Sequence, residues 1–202
     1  MIRDEAMSAS PPPFYLGAMS PYSWLAAERI DRLLPQARWR GVLAGVIFAA
    51  HGRTSWGLTE RRAEGLADCE ARAQAYGLGA IRWPAQWPTS DLLVARGMLV
   101  AERRGSLQRF ALEAMRMAFR EGADLAEHDV VLEAGRRAQL EPAELEAGLA
   151  DAQIKQQLRE LNDEALAAGV FGVPTVIVGE ELFWGDDRLE DAAAAYRERS
   201  DA

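Results

Sequence analysis

The sequence predicts an α/β protein in which two short sheet-forming segments enclose a long helical block. Three observations carry this expectation. A strand–helix–strand pattern fills residues 14–45, helical periodicity dominates residues 60–168, and a hairpin followed by a helix closes the chain. Strand, helix and strand within about 30 residues make a βαβ unit, which implies a parallel pair joined by a right-handed crossover.

Each element has its own local signal. Residues 1–11 read as a frayed tail running into Pro11-Pro12-Pro13. "FYLGA" from Phe14 is an apolar, aromatic strand. Ser20-Pro21 then starts a helix, with serine as cap and proline at the first helical position. Trp24, Leu25, Ile30, Leu33 and Leu34 give that helix its buried stripe, and Pro35 ends it. "ARWRGVLAG" (Ala37 to Gly45) reads as the second strand, and the following "FAAHGR" as a loop. From Glu60 to Tyr76, Leu66, Cys69, Ala73 and Tyr76 recur at spacings of three and four on one apolar face. "RWPAQWP" (Arg82 to Pro88) is a connector. Thr89 or Ser90 caps the helix through "LLVARGMLVAERR", and another follows Gly105, aligning Leu107, Phe110, Ala114, Met115 and Ala118. Helices near Val130–Ala138 and Pro142–Ala150 precede a long one from Asp151 to Ala168, stopped by Gly169. Thr175–Val178 and Glu181–Trp184 flank a Gly179-Glu180 turn, a glycine-first hairpin. A last helix opens at Arg188. The expected division is a sheet domain over 12–55 and 165–202, interrupted by a helical insertion over 56–164.

Composition narrows the function. With 202 residues, one domain of this size buries roughly 70% of its unfolded surface and needs no disulfide or structural metal. The net charge of −8 excludes the basic face that a nucleic-acid partner requires. "VLAGVIFAA" is far shorter than the ~18 apolar residues of a membrane span, and the N-terminus has no apolar core of a secretory signal. A cytoplasmic protein without nucleic-acid or membrane partners is expected. One cysteine, Cys69, rules out CxxC chemistry, and its place on an apolar helix face reads as a buried structural thiol. Two histidines, His51 and His128, with that cysteine make no metal-ligand cluster, so no metal is expected. A hydrolase elbow of the G-x-S-x-G type is missing around Ser20.

Serine is an ordinary cap, so Ser20 alone marks only a helix start. Proline at a strand entrance, as in Val173-Pro174, is also ordinary where no ladder hydrogen bond is needed. Their combination is more specific. "SPYS" has the layout of Cys-Pro-Tyr-Cys at a helix start with both sulfurs replaced by oxygen. A βαβ unit carrying that turn, followed by "GVPT" and ββα, is the thioredoxin arrangement. The segments "FYLGAMSPYSWLAAERI", "VLAGVIFAAHGR", "RWPAQWP", "GVFGVPT" and "LFWGDDRLED" run in order over nearly the whole chain. In them the sequence resembles the DsbA-like branch of the thioredoxin superfamily, and within it the 2-hydroxychromene-2-carboxylate isomerases and kappa-class glutathione transferases.

That resemblance implies a thioredoxin fold with a large all-helical insertion, and a catalytic Ser20 standing where relatives carry a redox cysteine. It implies a cis Val173-Pro174 bond, pairing of Val173's backbone with glutathione or another low-molecular-weight thiol, and an aspartate that meets the cofactor's ammonium group. Asp187 fits the Gly-polar-Asp-Arg pattern best, with Asp186 beside it. The loop departs from the family pattern: where isomerases carry lysine and asparagine, this chain has Ala49 and Arg53. Arg53 can still hold a carboxylate, and His51 beside it can move protons at neutral pH. Tyr22, Trp83 and Trp87, with His51, are candidates for the pocket of a small aromatic substrate, and a homodimer is compatible with the family.

The physics fits such an assignment. A helix start offers free N–H groups and about half a positive charge. Lowering a thiol from ~8.5 by ~2 units takes ~2.7 kcal/mol. One hydrogen bond to the charged form, ~1.5–3 kcal/mol, plus the helix terminus, ~0.3–1, supplies about that much. The expected activity is glutathione-dependent isomerisation of an aromatic or chromene carboxylate. A kappa-like transferase that keeps the thioether, and a non-catalytic binding module, are the alternatives.

Overall fold

Four strands set the frame: β1 (Pro13–Leu16), β2 (Arg38–Gly41), β3 (Thr175–Val178) and β4 (Glu181–Trp184), in spatial order β2-β1-β3-β4. The computed structural model describes residues 10–200, so most of the predicted tail, residues 1–9, lies outside the described residues. β1 pairs parallel with β2, Phe14 opposite Trp39, and antiparallel with β3, Phe14 opposite Val176. β3 and β4 form the antiparallel hairpin, Val178 opposite Glu181, turned by Gly179 at φ +64°. Central strands covered on both faces read as continuous apolar runs. β3 is buried at every residue and β1 at all but its first.

Helix α1 (Pro21–Leu33) is the crossover between β1 and β2, and Ser20 is its cap. The predicted second strand is shorter than expected. β2 ends at Gly41, and Ala44–Ala50 is a helix, α2, that runs into the segment read as a loop. Its cap, Leu43, has no side-chain oxygen, so no local start signal exists. Instead Asn162 Oδ1, from the far side of the chain, accepts the Leu43 N–H at 2.9 Å. A short apolar run cannot be assigned to strand or helix by periodicity alone, and here a remote residue decides it.

After a 3₁₀ turn (Trp56–Leu58) come α3 (Arg62–Ala75), α4 (Leu92–Arg103), α5 (Leu107–Glu121), α6 (His128–Arg137), α7 (Pro142–Ala150) and α8 (Ala152–Ala167). The cap of α4 is Asp91 rather than Thr89 or Ser90, although Ser90 Oγ still accepts the Leu92 N–H at 3.3 Å. A second 3₁₀ turn (Asp186–Arg188) leads into α9 (Leu189–Ser200). One apolar core runs through sheet and helices: Phe14, Trp24 and Ile30 of the sheet region join Phe110, Met115 and Phe119 of α5. Trp24 stacks on Phe119 at 5.7 Å. Among the described residues, no helix is long and apolar enough to cross a membrane.

Candidate active site

The loop between β1 and α1 is drawn tight by its own backbone. Ser20 N–H donates to Gly17 O at 3.0 Å, and Gly17 N–H donates to Ser23 Oγ at 3.2 Å. A Cβ on Gly17 would lie 2.9 Å from Ala44 Cβ and 3.3 Å from Val173, so only glycine lets β1, α2 and the segment before β3 converge there. Ser20 is almost buried, and its Oγ accepts the Ser23 N–H at 3.2 Å. A hydroxyl that accepts through one lone pair keeps its own proton for donation. That proton meets no acceptor among the described residues, and it is held at the start of α1, where Pro21 has no N–H and Ser23 and Trp24 donate to Ser20, leaving the Tyr22 N–H free.

Opposite stands Val173-Pro174, joined by a cis peptide bond. The segment is braced on both sides: Thr175 Oγ1 donates to Gly172 O at 2.8 Å, and Gly185 N–H donates to Pro174 O at 3.0 Å. Neither backbone group of Val173 is bonded to another residue among those described. The Gly185 bond also carries the acidic turn to the same place. Gly185 sits at φ +118°, which suits glycine, and packs against Asp187 Oδ1.

The two aspartates of that turn differ sharply. Asp186 is fully buried, accepting from Arg72 at 3.1 Å and from the Tyr76 hydroxyl at 2.9 Å, while its backbone O takes Arg29 at 2.9 Å. Burial raises its carboxyl above the usual aspartate range, with the Arg72 charge pulling it down. Asp187 is 53% exposed and meets the same Arg72 guanidinium at 3.1 Å. Arg72, which sequence reasoning passed over, thus serves Asp68 as well as both turn aspartates. The available signal was its place on α3, one turn after Asp68 and three residues after Cys69, which puts a cation beside the buried face of the helix.

The remaining predicted residues fall in two aromatic groups. Trp87 is buried, donates from Nε1 to Met19 O at 2.9 Å, and lies between Trp56 at 4.8 Å and Trp83 at 5.0 Å. It therefore touches the residue that precedes Ser20. Tyr22 stands edge-on to Trp56 at 6.2 Å and donates to Asp68 at 2.8 Å. Burial, first of all, keeps the Tyr22 phenol protonated. The second group flanks Val173. Arg53 lies 5.7–5.8 Å from the rings of Phe48, Phe171 and Trp184, and His51 Nε2 is 3.3 Å from Val170 O. Both Arg53 and His51 are exposed. Cys69 is buried, and burial pushes its thiol up to about 12. Among the described residues no group of three or more His, Cys, Asp or Glu is placed to hold a metal ion.

The profile of the DSBA-like thioredoxin domain matches residues 13–197. The chain belongs to the DSBA-like thioredoxin family. Within it, the chain is 24% identical over 187 residues to the 2-hydroxychromene-2-carboxylate isomerase of Sphingobium xenophagum, covering 88% of this chain and 93% of that protein. A solved 2-hydroxychromene-2-carboxylate isomerase superposes with a TM-score of 0.81 at 21% identity, over 94% of this chain and 98% of the other. The cytosolic disulfide reductase DsbM from Pseudomonas aeruginosa, solved with GSH, gives 0.67 at 14% identity, over 95% and 100%. In this DSBA-like chain, serines at positions 20 and 23 and a single buried cysteine leave no dithiol at the helix start.

Proposed function

We propose that this DSBA-like protein is a glutathione-dependent isomerase acting on a small aromatic or chromene carboxylate in the cytoplasm. The observation that carries the reading is the Ser20 hydroxyl: capped onto α1, nearly buried, and with its proton unclaimed among the described residues. The similarity to 2-hydroxychromene-2-carboxylate isomerases agrees with it.

The surrounding residues fit a peptide thiol. Val173 presents an open backbone N–H and C=O to pair with an amide of the cofactor. Asp187 is the accessible carboxylate for an ammonium group, whereas Asp186 is engaged by Arg72 and Tyr76. Glutathione would supply the nucleophilic sulfur for reversible addition to a conjugated double bond. Ser20 donates its hydrogen bond to that sulfur's anionic form, and the start of α1 adds its dipole. Arg53, held among Phe48, Phe171 and Trp184, offers a charge-assisted contact to a substrate carboxylate. His51 lies on the same rim as a proton carrier, while Trp87, through Met19, fixes the loop that holds Ser20.

Ultraviolet difference titration with glutathione tests the reading, because a bound thiolate absorbs where the thiol does not. Saturable new absorbance near neutral pH is expected, and a chromene or benzalpyruvate-type substrate should be isomerised with glutathione recovered. A flat titration with glutathione and other cellular thiols would end the proposal, and a stable thioether product would make the protein a transferase.

A further inference from the structure

The starts of α2 and α4 and the middle of α8 enclose a pocket of about 240 Å³. Leu43 and Val46 of α2 and Leu92 of α4 form its apolar wall. Val46 and Leu92, at 40% and 36% exposure, are two of only four large hydrophobic residues left exposed among the described residues. Isolated exposed apolar residues are normal, but here two line the same concavity together with Leu43 and Leu158, a clustering that marks a binding surface.

The rim has one sign. Arg96, Lys155 and Arg159 line it against a single acid, Asp163. None of the three cations forms an ion pair among the described residues, in a chain with 31 acidic and 23 basic side chains. Arg96 donates from one terminal nitrogen to Leu149 O at 3.3 Å, while its buried Nε has no partner. Lys155 is the sole lysine of the sequence. The floor is built firmly: Asn162 accepts from Leu43 N–H and donates to Leu158 O, so its amide is satisfied within the wall.

We infer that this pocket binds a small apolar monocarboxylate, separately from the cleft at Ser20. Charge complementarity selects the anion and the leucine–valine wall selects its apolar body. The volume is below the ~300–1,000 Å³ of most ligand pockets, which limits the occupant to a single ring or a short branched chain. The inference does not depend on the proposed isomerase activity, since no residue of that site lines the pocket.

The test is an amide NMR titration of the whole chain with phenylacetate, and with phenylacetamide as its uncharged analogue. Saturable shifts at Val46, Leu92, Lys155 and Asn162 are expected with phenylacetate. They should persist in Ser20→Ala and weaken by about tenfold or more in a Lys155→Gln/Arg159→Gln variant whose circular dichroism is native, the loss of roughly one charge-assisted hydrogen bond. Shifts confined to the Ser20–Trp87 cleft, equal affinity for phenylacetamide, or undiminished binding by the double variant would each overturn it. So would a dimer in sedimentation whose interface covers these residues and excludes phenylacetate.

Discussion

Ser20 combines two roles that substitution separates. As a cap its loss costs about 1 kcal/mol of stability. As a donor to a thiolate its loss costs ~1.5–3 kcal/mol of binding in the charged state, or ~10- to 150-fold in thiol-dependent turnover. Ser20→Ala is therefore expected to stay folded and lose most activity, and kinetics beside a urea melt will show whether the two losses part. Asp91, the cap of α4, provides a second residue-scale test. Burial pushes its carboxyl up to about 6, against the pull of the Ala44 N–H and its own. The ordinary value in an unfolded chain is ~3.9. A folded pKa above the unfolded one favours the protonated fold, so its contribution is complete below pH ~4 and is lost as pH rises through about 6. Asp91→Asn should thus be neutral at pH ~4 and stabilising by about 1–3 kcal/mol at pH ~8, measured by denaturant melts at both values.

At the level of elements, α1, α3 and the acidic turn before α9 meet around Arg72. Removing one partner of a buried ion pair costs about 3–5 kcal/mol because the other charge stays behind. Arg72 is partly exposed, so Arg72→Met should cost nearer ~2–3 kcal/mol. Without that guanidinium, Asp186 titrates higher still, and the variant should lose stability as pH rises through the new value. Urea melts at acid and alkaline pH will show a larger deficit on the alkaline side. This network was half legible. By residue type alone the acidic "GDD" turn reads as ordinary helix capping, and its expected ligand role comes from the family resemblance. That Asp186 turns inward to Tyr76 and Arg72 depends on packing between segments over 100 residues apart, which no local pattern carries. The same holds for α2: its cap comes from Asn162, so the run after β2 looked like strand and loop. By contrast α8 carries its own signal, with Asp151 Oδ1 accepting the Gln153 N–H at 2.8 Å, and its limits were readable to within a residue.

Over the whole molecule, the redox chemistry of the DSBA-like fold has no protein sulfur to work with. Ser20 and Ser23 cannot form a disulfide, and Cys69 lies in the interior with its thiol pushed up to about 12. Insulin reduction should run at the blank rate. A thiol reagent such as DTNB should leave the native protein unmodified and label Cys69 only as fast as the chain opens, so the labelling rate serves as a measure of unfolding. The chain order of the elements was legible because the Ser-Pro helix start and the Val-Pro strand entrance are each encoded in a few adjacent residues. The grouping of Arg53 with Phe48, Phe171 and Trp184 was not, because two distant stretches contribute to it.

The Trp87 indole, bonded to Met19 O, lies 4.8 Å from Trp56 and 5.0 Å from Trp83, which gives the protein an optical signature. Transitions on chromophores this close mix, so the far-ultraviolet circular dichroism should carry an exciton couplet superimposed on the helical bands. Gly57 is where that arrangement is most easily disturbed: a Cβ there would fall 2.5 Å from the Trp87 ring. Gly57→Ala should weaken the couplet while leaving the helical bands intact. Because Trp87 is tied to the residue before Ser20, the couplet and the indole emission report on that loop without an added label, and both should respond when anything enters the cleft.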